Sequence, residues 1–315
     1  MKYIFILFSL VLSLSYAQNC EDGFRPFEHA AGTTCVPENP ERIVTTQDQN
    51  ALLPLLELGV KPVGSAGLVG DDGETSFRRV EGYDTEGIAF VGSYGEPNLE
   101  AIAARRPDLI VGSPFQETIY DDLSAIAPTV LIDVHDRPLE AGLLDFADLV
   151  EREAQAQELE EEYRARVEDL LEELGERKEE VSVSVITAGD TPGEFYRADQ
   201  GQAVGTVMND LDLPRPEAQQ ERLDDREYLG IESLPEHDAD TVLVFDFSGE
   251  GQDPNVDAFM TSPLFEALNA AQAEQVYRID GTQTVGASWG KIDAYLEELE
   301  RILLAPDLEM DVVQE

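Results

Sequence analysis

The sequence predicts an α/β protein of two Rossmann-like lobes, each a mainly parallel sheet flanked by helices, joined by one long helix. Three observations carry that expectation. Short β-rich runs alternate with helical stretches over residues 41–138, and the alternation resumes over 179–305. Strands alternating with helices build a parallel sheet covered on both faces. Between the two, residues 139–178 space their apolar side chains by three and four, with Glu and Arg opposite, which marks a helix with one buried stripe. Finally, 315 residues of which 42% are hydrophobic suffice for two cores of ordinary domain size.

Each element has its own justification. Residues 42–46 read as a strand, and 50–59 (NALLPLLELG) as a helix stopped by Gly59. Strand entries follow at 60–64, 88–92, 108–112 and 129–133, with a helix over 99–105. In the connecting segment the buried stripe is Leu143, Phe146, Val150 and Ala154, then Ala156, Leu159, Tyr163, Val167, Leu170 and Leu174. A continuous helix from Glu153 to Gly175 would span roughly 35 Å at ~1.5 Å per residue. In the second half, 181–187, 241–247 and 275–279 read as strands, and 204–211, 254–268 and 289–304 as helices. The organisation expected is a signal peptide at 1–17, an N-terminal hairpin at 18–40, a lobe at 41–138, the interlobe helix at 139–178, a lobe at 179–305 and a tail at 306–315.

Composition sets the compartment. Residues 3–16 (YIFILFSLVLSLSY) follow Met1-Lys2 and have the length of a signal-peptide core, too short for a membrane span. Small residues at Ser15 and Ala17 place cleavage after Ala17, giving a periplasmic or otherwise exported protein with no membrane insertion once cleaved. Two cysteines, Cys20 and Cys35, lie 15 apart in an oxidising compartment, where such a pair can close. The rival reading is lipid attachment at Cys20, for which Ala17-Gln18-Asn19 is a poor match. Acidic side chains outnumber basic ones 66 to 21, for a net charge of −45. A polyanion of this size repels nucleic acid and anionic lipid. Only four of the cations are lysines (Lys2, Lys61, Lys178, Lys291), as suits a surface meeting high external salt; drift in an acidic proteome accounts for it equally well.

Catalytic motifs are weak. Gly286 to Gly290 (GASWG) fits the G-x-S-x-G elbow, but that arrangement needs a histidine after the serine. His29, His135 and His237 all precede Ser288, which instead suits a helix N-cap. Gly64 to Gly70 (GSAGLVG) lacks dinucleotide-loop spacing and reads as a mobile cleft loop. The three histidines are scattered, so no metal site is expected, and all three read as surface residues.

Several stretches together resemble the substrate-binding proteins of ABC importers for iron–siderophore complexes. These are Phe27 to Thr34 (FEHAAGTT) with Pro40 to Val44 (PERIV), Leu53 to Gly67 (LPLLELGVKPVGSAG), and Val91 to Glu100 (VGSYGEPNLE). Arg106 to Gly112 (RPDLIVG), Leu123 to Val130 (LSAIAPTV), Gly205 to Pro214 (GTVMNDLDLP) and Ile231 to Val242 (IESLPEHDADTV) complete the set. The likeness covers nearly all of residues 24–305. It implies a monomeric, non-enzymatic protein without a cofactor, which takes a ferric siderophore between its lobes and delivers it to an importer permease. It also implies that Glu100 and Glu232, one on each lobe, meet arginines of that permease.

A ferric siderophore arrives with its iron already wrapped, so the protein needs aromatic walls and a few cations, not metal ligands. The candidates are Phe77, Arg78, Tyr94, Phe115 and Tyr120 in the first lobe, and Tyr196, Arg197, Phe247 and Trp289 in the second. The negative surface favours hydroxamate or mixed carboxylate chelates over catecholates. Haem or cobalamin, or a bare metal ion, is the alternative cargo, with Tyr94, Tyr120 and Tyr196 as the candidate haem ligands. A secreted hydrolase using Ser288 is the enzymatic alternative.

Overall fold

The computed structural model describes residues 20–70, 72–135, 137–221, 228–248, 251 and 253–305. The expected signal peptide and tail lie outside them. The chain opens with an antiparallel hairpin, β1 (Phe24–His29) and β2 (Gly32–Pro37), and Cys20 is bonded to Cys35 across its base.

The first lobe is a six-stranded sheet. In chain order it contains β3 (Ile43–Thr45), a π-helical turn (Asp48–Leu52) running into α1 (Leu53–Glu57), β4 (Gly64–Val69), the short β5 (Thr75–Ser76) and β6 (Ala89–Ser93). Then come α2 (Leu99–Ala104), β7 (Leu109–Gly112), α3 (Tyr120–Ser124) and β8 (Thr129–Leu131). The order across the sheet is β5-β4-β3-β7-β8 with β6 beside β4, parallel except for β5.

Two helices, α4 (Leu139–Leu149) and α5 (Glu153–Leu174), lead to the second lobe. There β9 (Val183–Ala188), β10 (Glu194–Arg197), α6 (Gln202–Leu211), β11 (Tyr228–Gly230) and β12 (Thr241–Asp246) are followed by α7 (Pro254–Met260), α8 (Pro263–Glu266), α9 (Asn269–Gln272), β13 (Val276–Asp280) and α10 (Trp289–Leu303). The order is β11-β10-β9-β12-β13, with β9, β12 and β13 parallel and β10 antiparallel to both neighbours.

Strand alternation distributes the core. Ile43, Leu109, Val111, Val185, Leu243 and Phe245 point into one continuous cluster filled by α4, α5, α6 and α10. Their neighbours Val44 and Ile110 face a separate first-lobe cluster, and Ile186, Val242 and Val244 a second-lobe one. The two lobes therefore share their largest apolar interior.

Four expectations need correction. Gly64 to Gly70 is not a mobile loop: its first six residues are β4. Glycine is needed there because neighbours press in; a Cβ on Gly67 would lie 2.4 Å from the Ser76 carbonyl oxygen. The 139–178 segment is not one helix. Arg152 N–H bonds to the Ala147 carbonyl while Glu151 takes φ 53°, a left-handed closure usually given to glycine. The helical stretch at 254–268 is split where Ser262 caps a new helix begun by Pro263. The strands β10 and β11 lie where the sequence pattern predicts none.

Asp246 ends β12 buried, accepting the Ser248 and Asp253 N–H groups and the Arg278 guanidinium. Burial works to raise its pKa, but these hydrogen bonds outweigh it and hold the carboxyl at about 2. A depressed folded pKa gives stability that is present above pH ~4 and lost as pH falls towards 2. We expect Asp246→Asn to be less stable than the native chain at pH 7 and to converge with it near pH 2, measured by urea unfolding across pH. A constant difference across that window would contradict this assignment.

Candidate functional site

Ligands of parallel α/β sheets bind at the carboxyl ends of the strands. Here those ends meet at one seam, where the Ala287 N–H, in the segment after β13, bonds to the Gln49 carbonyl just past β3 (3.0 Å).

In the first lobe the centre is Asp48, fully buried. It accepts the Arg78 N–H (2.9 Å), Nε (2.9 Å) and Nη2 (2.6 Å), and the Gln49 N–H. This bidentate grip places the Arg78 guanidinium carbon over the Tyr94 ring, 3.8 Å from its centroid. Burial opposes the charge on Arg78, but Asp48 more than compensates, and its pKa rises. Tyr94 is fixed in turn: its N–H bonds to Gly67 and its carbonyl accepts Gln116 Nε2. Gln116 Oε1 is held by Ser113 and Thr46. Segments after β3, β5, β6 and β7 thus place one cation on one aromatic face. Phe115, beside Gln116, is 74% exposed.

The second lobe contributes Phe247, 38% exposed just past β12, its ring seated over Gly281 and edge-on to Phe245. Tyr228 is 42% exposed, meets buried Tyr196 edge-on at 5.4 Å, and its hydroxyl reaches Asp190.

Other expected site residues are used for packing. Arg197 is a correction. It commits five donor contacts to Asp199 and to the Ala218, Gln219 and Glu221 carbonyls, leaving no N–H for a ligand. Trp289 is another: it is 2% exposed and tilts against Tyr163 of α5. Phe77 packs half-buried against Phe90 and the cluster around α1. Tyr120 docks on the hairpin, bonding to Thr34 and lying 5.8 Å from the His29 ring. Ser288 caps α10, accepting the Lys291 N–H. The histidines are not all at the surface. His237 is buried between Gln219 and Phe195, and burial lowers its pKa. Glu100 and Glu232 are exposed, each the second residue of a helical turn.

Asp48, Gln116 and Tyr228 join the candidate site by position, and sequence reasoning did not single them out. Asp48 carried a usable signal, a carboxylate directly after the first strand of a chain short of cations. Among the described residues no group of three or more His, Cys, Asp or Glu is placed to hold a metal ion. A groove of about 780 Å³ beside α10 includes Arg166, Asp280, Glu298 and Arg301, and shares no residue with the sites above.

Breaking a buried ion pair by removing one partner costs about 3–5 kcal/mol. Arg197→Ala strands Asp199 with only Arg215, so we expect a loss of that size in urea unfolding. A loss under about 1 kcal/mol would refute its structural role.

Comparison with known proteins extends this geometry. The chain is 29% identical to the probable siderophore-binding lipoprotein YfiY of Bacillus subtilis, over 96% of this chain and 97% of that protein. It is 27% identical to the ferric enterobactin-binding periplasmic protein FepB of Escherichia coli O6:H1, over 94% and 96%. Among solved structures, Staphylococcus aureus SirA complexed with staphyloferrin B superposes with a TM-score of 0.75 at 26% identity, over 88% of this chain and 98% of SirA. Bacillus subtilis FeuA shares the fold, with a TM-score of 0.71 at 21% identity. A description of the periplasmic binding protein family matches residues 43–282. With most of its length matched, the chain belongs to the periplasmic binding protein family.

Proposed function

We propose that this protein is the exported substrate-binding component of an ABC importer, and that it captures a ferric siderophore between its lobes and hands it to the permease. The observation that carries the reading is the Arg78–Tyr94 pair, held by a buried carboxylate, with exposed Phe115 next in the chain to the Gln116 that holds Tyr94. A ferric chelate offers a broad face and peripheral oxygens, which an aromatic wall and a braced guanidinium suit. Phe247 and Tyr228 supply the facing wall. The relatives are named for such cargo: a siderophore, ferric enterobactin and, at 27% identity in Escherichia coli, ferric dicitrate.

The protein acts by binding, not catalysis, and works as a monomer. Residues 1–17 direct export and are removed, and the Cys20–Cys35 bond closes in the oxidising compartment that follows. Glu100 and Glu232 offer the permease one carboxylate from each lobe.

Calorimetric titration with ferrichrome, ferric citrate, a ferric catecholate, haem and cobalamin tests the cargo. We expect saturable binding of one ferric chelate. Phe115→Ala should weaken it about tenfold, or ~1.4 kcal/mol, with unchanged thermal stability. Binding of haem or cobalamin alone would replace the cargo, and no binding at low or high salt would defeat the reading. In reconstituted import, Glu100→Lys with Glu232→Lys should abolish uptake while chelate affinity stays native; unaltered uptake would remove the docking role.

A further inference from the structure

We propose that Glu57 is the residue that sets the angle between the lobes. Glu57 ends α1 of the first lobe, yet its carboxylate is bound to the second. Oε1 accepts the Ser288 hydroxyl (2.8 Å) and the Gly290 N–H (2.7 Å), and Oε2 accepts the Trp289 N–H (2.9 Å). These are donors at the start of α10, where backbone N–H groups lack intrahelical partners and the dipole is positive. The Glu57 carbonyl accepts Gln155 Nε2 of α5 (3.3 Å). One residue therefore joins the first lobe, the connecting helix and the second lobe.

The start of α10 is capped from both lobes. Ser288 already caps α10 from within, its Oγ accepting the Lys291 N–H at 3.2 Å. Burial of Glu57 carries a penalty, pushing its pKa up against the three hydrogen bonds. Burial raises Tyr83 beside it to about 12, with the Glu57 charge adding to the shift. The Trp289 and Gly290 N–H groups, which Ser288 does not reach, are therefore satisfied from the other lobe in spite of that penalty.

A second tie lies in the π-helical turn that precedes α1. Besides the Ala287–Gln49 bond, the Gly286 N–H reaches Gln202 Oε1 (3.1 Å), Gln202 Nε2 reaches Asn50 Oδ1 (2.9 Å), and Asn50 Nδ2 meets His135 Nε2 (3.1 Å). Gly286 has φ 119°, and a Cβ there would lie 2.8 Å from Leu53 Cδ2, so the segment runs tight against α1. The ties at Gln49 and Glu57 are eight residues apart along the first lobe. Two ties define a line, and rotation about that line keeps both. Any other rotation breaks one, and loss of Glu57 frees the rotations that its three hydrogen bonds oppose, within the range that the shared core allows.

The test measures the interlobe distance in the ligand-free protein, with spin labels at Asp121→Cys on α3 and Asn255→Cys on α7, both exposed. With native Glu57 we expect one narrow distribution. Glu57→Ala should at least double its width well below the unfolding temperature, with the circular dichroism of the native fold. Glu57→Gln, which keeps one acceptor oxygen, should fall between. Distributions that superimpose on the native one for both variants would overturn the proposal; if Glu57→Ala does not fold, Glu57→Gln decides by the same criterion. No ligand enters the measurement, so its outcome is independent of whether the cargo is a ferric chelate.

Discussion

A single apolar core runs beneath both sheets. Leu109, Val111 and Val130 reach it from the first lobe, Val183, Val185, Leu243 and Phe245 from the second, and α4, α5, α6 and α10 fill the space between. Drawing the lobes apart would expose that interior at about 25 cal/mol per Å², so large opening motions are closed off. A helix such as α5 adds to this, because bending it means breaking its own backbone ladder. What remains is small rotation about the seam. Trp289 and Tyr163 belong to this core, which is why a tryptophan near a glycine-rich turn is a packing residue and not a wall of the ligand site.

The electrostatics follow from the same scarcity of cations. With 21 of them against 66 acids, cations are few, and several arginines bridge elements. Arg166 ties α5 to Asp293 and Glu300 of α10, Arg164 ties it to Glu140 of α4 and Asp210 of α6, and Arg25 joins the hairpin to Asp148. The planar fork of arginine suits such fixed geometry better than a lysine. Exposed pairs contribute little stability each, so their effect is on register between helices. The surplus negative field fades within roughly 8 Å at physiological salt. An anionic chelate that crosses that layer then meets a local cation, Arg78, braced from behind by a buried aspartate.

How much of this was legible depends on what each residue had to do. Strands buried on both faces, such as β7 (LIVG) and β12 (TVLVFD), announced themselves by composition. α10 did so by its stripe of Trp289, Ile292, Leu296, Leu299 and Leu303, and that same stripe was the warning that Trp289 faces inward. The break between α4 and α5 carried no warning, because Glu151 occupies a left-handed position that glycine usually advertises. β4 was hidden by glycines chosen for close approach. At the site, Arg78 and Tyr94 were legible as residue types but not as a pair, since their geometry comes from Asp48, far upstream of both. Arg197 looked free for a ligand, although its partner Asp199 lies only two residues on, where a strand partner would.

A binder whose lobes barely move gains affinity because little ordering is required when the ligand arrives. The same rigidity constrains how loading could be reported. Glu100 and Glu232 ride on separate lobes that share a core, so their separation changes little whether or not the cleft is filled. A permease reading those two carboxylates would meet nearly the same spacing in both states. The difference available to it is the residual freedom about the seam: a ligand that bridges the two lobes would remove that freedom. The partner then needs less free energy to order the two carboxylates at once, which is coupling through restricted motion with little displacement. In such a design the seam residues matter as much as the walls of the site, because they fix how much freedom there is to remove.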